Sequence, residues 1–227
     1  NGKAISGLYF NSSDEQNKNT HNIGLFGCVD NAKIYGITIK DSYFMGYENI
    51  GGIVGQATNS EIADCVNQSA IRCGNQNAGG IAGNTSLTTV SDCRNNGKIT
   101  GKSTVGGIVG KIIGESENVT AIENCSNSHA IGDGEITSYA GGIVGSNEGV
   151  TTVIRYCNNT ASVYGSDHIG GIAGSTKSTK YTIFNSYNTA LIRGTGYVGG
   201  IVGESNAPIY YCYNTGDLYS TGAYNGG

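Results

Sequence analysis

Apolar residues in this chain come in short clusters broken by polar turns, with no helical period. Residues 51–55 read GGIVG, and close copies return at 79–83, 106–110, 141–145, 170–174 and 199–203, preceded by GLFG at 24–27. The glycine before each Ile or Leu stands at 24, 52, 80, 107, 142, 171, 200 and 227, at intervals of 28, 28, 27, 35, 29, 29 and 27 residues. A second cluster follows each pentapeptide, as in EIADCVNQSAI at 61–71 and TVSDCRNNGKI at 89–99. Glycine at this density would cost a helix about 1 kcal/mol per interior position, so each unit reads as short strands separated by Gly/Asn/Ser/Thr turns. Such a unit cannot close a core alone, but copies stacked about 4.8 Å apart can. The pattern predicts an all-β fold, a parallel β-solenoid of about seven 28-residue coils with three short strands per coil. The array is expected over 23–227, after an irregular capping segment at 1–22. The one long interval holds a polar insertion around Glu115–Val119 and the stretch Gly132–Ser138.

Two columns run through the second cluster. Cys65, Cys93, Cys125, Cys157 and Cys212 share one slot, with Ser186 in it once, and two residues later stand Asn67, Asn95, Asn127, Asn159, Asn188 and Asn214. A small, weakly polar thiol fits a narrow interior. A stacked Asn can bond the backbone and the Asn of the next coil, so both columns are expected to point inward.

Composition supports a folded chain. Only 13% of residues are charged and 37% are hydrophobic, the opposite of a disordered segment. The net charge of −4 comes without any run of Lys or Arg, which speaks against a nucleic-acid partner. No apolar run approaches the roughly 18 residues of a membrane span, so membrane insertion of this segment is not expected. The sequence begins without Met and stops at YNGG, the opening of another pentapeptide, and so reads as a piece of a longer protein whose targeting signals could lie elsewhere.

The motif G-(I/L)-(V/A/F)-G followed by (D/N/Y)-C-x-N resembles the GLUG repeat. That repeat occurs in bacterial surface proteins, including streptococcal IgA1 proteases and secreted proteins of gut bacteria. The resemblance covers about Ile23 to the end. It implies a β-solenoid on an exported or cell-surface protein, and implies no particular ligand.

Catalytic and metal chemistry find little purchase. The IgA1 proteases that carry such repeats are zinc peptidases using HExxH, whereas His21, His129 and His168 are followed by Asn, Ala and Ile. Cysteines one coil apart miss disulfide geometry, and CxxC-type zinc spacing is absent. A bond from Cys28 or Cys73, which lie off the column, stays open. Asp64 and Asp92 share a column that Asn124, Tyr156, Asn185 and Tyr211 continue, which suits solvated turns better than a carboxylate pair. No enzyme activity, metal or cofactor is expected. The triplets at Asn67, Asn84, Asn118, Asn124 and Asn158 follow from Asn/Ser/Thr-rich turns rather than glycosylation.

Two surfaces remain as candidates. Phe184 with Tyr210, and Tyr187 with Tyr213, fall one coil apart and outward, where they could contact a glycan or protein or simply stack. In a regular strand only one of two adjacent residues faces the core. With Ile53 and its copies inward, Phe26, Val54, Ala82, Val109, Val144, Ala173 and Val202 would form an outward apolar stripe suited to self-association or a partner. A kink turning both columns inward is the alternative. The expected role is a non-catalytic structural and adhesive segment of a secreted or cell-surface bacterial protein. The alternatives are a carbohydrate-binding module using the C-terminal tyrosines and a glycan-active β-helix enzyme.

Overall fold

A computed structural model of the chain describes residues 4–12, 18–114, 119–133, 137–149, 151–177, 180–222 and 225–226. The chain winds into a parallel β-solenoid of about seven turns, with no helix among the described residues. Every strand pairing is parallel and joins a residue to its counterpart one coil away. One coil shows the plan. Val54–Thr58 forms the first side, between Phe26–Asp30 and Ala82–Ser86. Glu61–Ala63 forms the second, between Lys33–Tyr35 and Thr89–Ser91. Val66–Gly79 forms the long third side, beside Thr38–Gly51. In later coils the third side breaks into pieces such as Asn158–Asn159, Val163–Tyr164 and His168–Gly170. Ahead of the array, Ala4–Ser6, Tyr9–Asn11 and His21–Ile23 pair with Thr38–Gly51 alone.

The long interval leaves the register intact, with Ile112 opposite Asn147 and Thr120 opposite Thr152. Of the two inserted stretches, 115–118 and 134–136 lie outside the described residues, as does Asn118.

The corner after the second side is left-handed in every full coil. Asp64, Asp92, Asn124, Tyr156, Asn185 and Tyr211 have φ of 51°, 53°, 52°, 55°, 50° and 53°. Behind each corner the cysteine slot supplies a donor. The thiols of Cys65, Cys93, Cys125 and Cys157 donate to the carbonyls of Ala63, Ser91, Glu123 and Arg155 at 3.1–3.3 Å. The Ser186 hydroxyl makes the same bond to Phe184 O at 3.1 Å, which is why serine can stand in that slot. The column therefore ties the corner as well as filling the interior.

All seven cysteines are free thiols; Cys28 is exposed on the first side, while Cys73 is buried on the third. A bond from a neighbouring thiol lifts Cys65 and Cys93 well above the ordinary thiol range, burial does the same to Cys125, and burial pushes Cys73 up to about 12. Since the thiolate is the nucleophile, these groups are inert in the fold. At pH 8 a maleimide should label Cys28 at once, Cys212 slowly, and the five buried thiols only after unfolding. Fewer than seven thiols in denaturant without reductant would contradict this.

The asparagine column is an unbroken amide ladder. Nδ2 of Asn67, Asn95, Asn127, Asn159 and Asn188 donates to Oδ1 of the next Asn at 2.7–2.8 Å, ending on Asn214. Each of these amides also donates to the carbonyl two residues on and accepts from that residue's N–H, as Asn95 does with Gly97 at 2.8 and 3.2 Å. An interior Asn thus fills both donors and both acceptor positions while buried. Asn127→Ala is expected to cost about 3–5 kcal/mol, because four bonds are lost at about 1 kcal/mol each, two of them to buried asparagines of the neighbouring coils. Ser126→Ala, on the half-buried face beside it, should cost under about 1 kcal/mol. Equal melting temperatures for the two would rule out the ladder.

The outward apolar stripe does not exist. Val54, Ala82, Val109, Val144 and Ala173 are fully buried, and so are Ile53, Ile81, Ile108, Ile143 and Ile172. Only Phe26, 39% exposed on the first coil, and half-buried Val202 on the last lack full cover, since each lies at an end of the stack. The cause is a corner. The strand Thr38–Gly51 ends and Val54–Thr58 begins with a bend at Gly52 and Ile53 between them, where the amides of Ile53 and Val54 both donate to Ile81 O, at 3.1 and 2.9 Å, so the alternation of one straight strand does not apply and both side chains turn inward. The same doubling recurs at Ile108 O, Ile143 O, Ile172 O and Ile201 O. Alternation resumes after the final glycine, with Gln56 half-buried and Ala57 buried.

Candidate functional site: an aromatic corner

The left-handed corner places three columns side by side on the surface, one before it, one at it and one after it. In the middle coils the column before the corner holds Glu123 and Arg155, paired at 2.6 Å. The next two coils replace them with Phe184 and Tyr210, in direct register. After the corner, Arg94, Ser126 and Asn158 give way to Tyr187 and Tyr213. The two sequence-predicted pairs therefore flank one corner. Tyr187 and Tyr213 stack with centroids 5.1 Å apart and planes within 3°, so much of their ring surface is spent on each other.

The corner column itself contributes Tyr156 and Tyr211, which periodicity arguments about exposed aromatics passed over. Tyr211 is 84% exposed and Tyr156 50% exposed. Tyr156 meets Phe184 edge-on at 5.8 Å, and Tyr211 lies 6.5 Å from Tyr210. Both tyrosines occupy a backbone conformation that costs a bulky residue roughly 1–2 kcal/mol and that Asn or Asp adopts more readily. Their signal in the sequence was available: they stand in a slot that other coils fill with Asp64, Asp92, Asn124 and Asn185. The polar residues that share these columns next to the rings, Asn158 and Asn185, carry no charge.

A second aromatic column lies on the third side, two residues before each Gly-Gly. Early coils hold an amide ladder there, Asn77 to Asn49 at 2.7 Å and Asn49 to Asn22 at 2.8 Å. Later coils hold stacked rings, with His168 between Tyr139 at 4.6 Å and Tyr197 at 4.8 Å. The ring nitrogens of His168 face Asp167 at 3.0 Å and Glu204 at 3.1 Å. His21 pairs with Glu48 two ladders away, and His129 is exposed, so the three histidines are dispersed. Among the described residues no group of three or more His, Cys, Asp or Glu side chains is placed to hold a metal.

From Gly46 to Ile71 one coil contains the Gly-Gly bend, the thiol-tied corner and the first rung of the amide ladder. Residues 46–71 match the GLUG motif. The other coils repeat the same elements in register, so the matched stretch is one copy of the unit that builds this solenoid. A candidate immunoglobulin A1 protease from Bacteroides ovatus, solved by crystallography, has a similar fold, with a TM-score of 0.61 and 19% identity. The match covers 86% of this chain and 60% of the Bacteroides ovatus chain, so this chain spans well under two thirds of that neighbour. At that identity the likeness is one of fold. No curated protein matches the chain by sequence.

Proposed function

We propose that this chain is a stiff, non-catalytic GLUG-repeat segment of a secreted or cell-surface bacterial protein, with a structural and adhesive role. The observation that carries the reading is the amide ladder running from Asn67 to Asn214, which joins six successive coils through one buried column. A fold whose conserved geometry is spent on coil-to-coil bonds suits a body that holds surfaces in fixed positions. The GLUG match and the fold likeness to the Bacteroides ovatus protein support placement outside the cell. That neighbour's protease name is not extended to this chain, whose three histidines lie on separate columns.

The test has two arms. Antibodies against the purified chain should label intact cells of the producing organism, and protease treatment of those cells should remove the label. The chain incubated with immunoglobulin A1 or with pooled polysaccharides should release no product. A purely cytoplasmic signal would overturn the location, and product formation would overturn the non-catalytic role.

A further inference from the structure

We propose that the aromatic corner is a binding site for a neutral glycan, with Tyr156 and Tyr211 as its stacking residues. This deepens the adhesive part of the reading above and rests on it.

Backbone and side chain conflict at these two positions. In four other coils the left-handed corner carries Asp64, Asp92, Asn124 or Asn185, the residue types that this conformation suits. Tyr156 and Tyr211 accept the same φ, 55° and 53°, with a bulky ring. Strain of this kind persists where the side chain is wanted for something other than the fold. Neither ring is buried in return: Tyr211 is among the most exposed side chains of the molecule, and Tyr156 is half out.

The chemistry of the patch selects the partner. In the columns around the two rings lie Phe184, Tyr187, Tyr210 and Tyr213, with phenolic hydroxyls and the amides of Asn158 and Asn185. The charged pair nearest to it, Glu123 with Arg155, is closed on itself at 2.6 Å. A surface with aromatic faces, phenolic and amide hydrogen-bonding groups and no free ionic side chain complements an uncharged polyhydroxylated ligand. Ring faces cover the apolar faces of pyranoses, and the amides and hydroxyls meet the hydroxyl groups. Arg155, the cation beside Tyr156, is already paired with Glu123, so an anionic polysaccharide would have to compete with that carboxylate.

The test uses native gels cast with soluble neutral polysaccharides (xylan, glucomannan, β-glucan and arabinogalactan in separate gels) and, as contrast, with polygalacturonate. The chain is expected to be retarded by at least one neutral polymer and not by polygalacturonate. The double variant Tyr156→Asn with Tyr211→Asn follows the column's own alternative and should fold. Its melting temperature should match or exceed that of the parent chain. Its apparent dissociation constant should rise about tenfold or more, the usual scale for losing an aromatic anchor. The proposal is overturned by no retardation in any neutral gel, by retardation that survives in the folded double variant, or by retardation confined to polygalacturonate. A cleared zone around the band would instead show hydrolysis and defeat the non-catalytic reading itself.

Discussion

Val109→Lys combined with Val144→Lys is expected to leave no folded protein. Both valines are fully enclosed, facing each other one coil apart on the first side, with Ile108 and Ile143 turned inward beside them. Each substitution removes about 1.5 kcal/mol or more of apolar burial and places an ammonium group where nothing can pair with it. The effective cost of such a charge is several kcal/mol even after relaxation. Two together come to about 10 kcal/mol, comparable with the roughly 5–15 kcal/mol that holds a domain of this kind. The natural Lys111, two residues along the same strand, is the internal contrast: it reaches Glu148 at 2.9 Å on the outer surface. Circular dichroism should show the β signal lost in the double variant and retained in Lys111→Ala. A folded double variant that had merely lost self-association would restore the exposed-stripe reading that the burial of this column overturns.

Gly107→Ala should be nearly as damaging, and for a purely steric reason. A methyl group at this position would lie 2.0 Å from Gly142 O and 2.7 Å from Asn127 Cγ, both fixed parts of the next layer. The Gly142 carbonyl follows directly on Gly141, whose own carbonyl accepts the inter-coil bond from Gly107 N at 3.2 Å, so it cannot retreat without disturbing that bond. The asparagine cannot retreat without leaving the ladder. A loss of about 4 kcal/mol or more is expected, at the top of the range for point changes. Gly36→Asn makes the control, because nothing lies within 4 Å of an added Cβ there and φ is +66°. Asparagine tolerates that conformation, so the change should stay within about 1 kcal/mol. If Gly107→Ala melted with Gly36→Asn and the parent chain, the second glycine of the pentapeptide would not be a packing requirement.

The repeat made the solenoid, its parallel register and its inward Cys and Asn columns legible, because periodicity alone fixes which residues become neighbours. Three things escaped. The pentapeptide was treated as a regular strand, so alternation sent Val54 and its copies outward. The bend at Gly52 and Ile53 that turns them inward goes with two amides sharing one carbonyl of the next coil, a relation between coils that no single strand reveals. The cysteine slot was understood as filler, and the shared S–H or O–H donor that admits Ser186 shows only in the bond to the corner carbonyl. At the aromatic corner the flanking pairs Phe184/Tyr210 and Tyr187/Tyr213 were legible as columns. Tyr156 and Tyr211 were seen only as interruptions of a carboxylate column. What marks them is a backbone conformation, and φ is not written in composition.

The central claim is that one buried amide column joins the coils, and side-chain NMR of the chain labelled with ¹⁵N-asparagine tests it most directly. Six asparagines, Asn67, Asn95, Asn127, Asn159, Asn188 and Asn214, belong to the ladder. The buried Nδ2 protons of Asn95, Asn127 and Asn159 should be among the slowest to exchange in the molecule, opening only with the coils themselves. Each should show contacts to the amide of the asparagine one coil away. Exchange of these groups as fast as that of exposed Asn96 would contradict the ladder and the stacking order built on it.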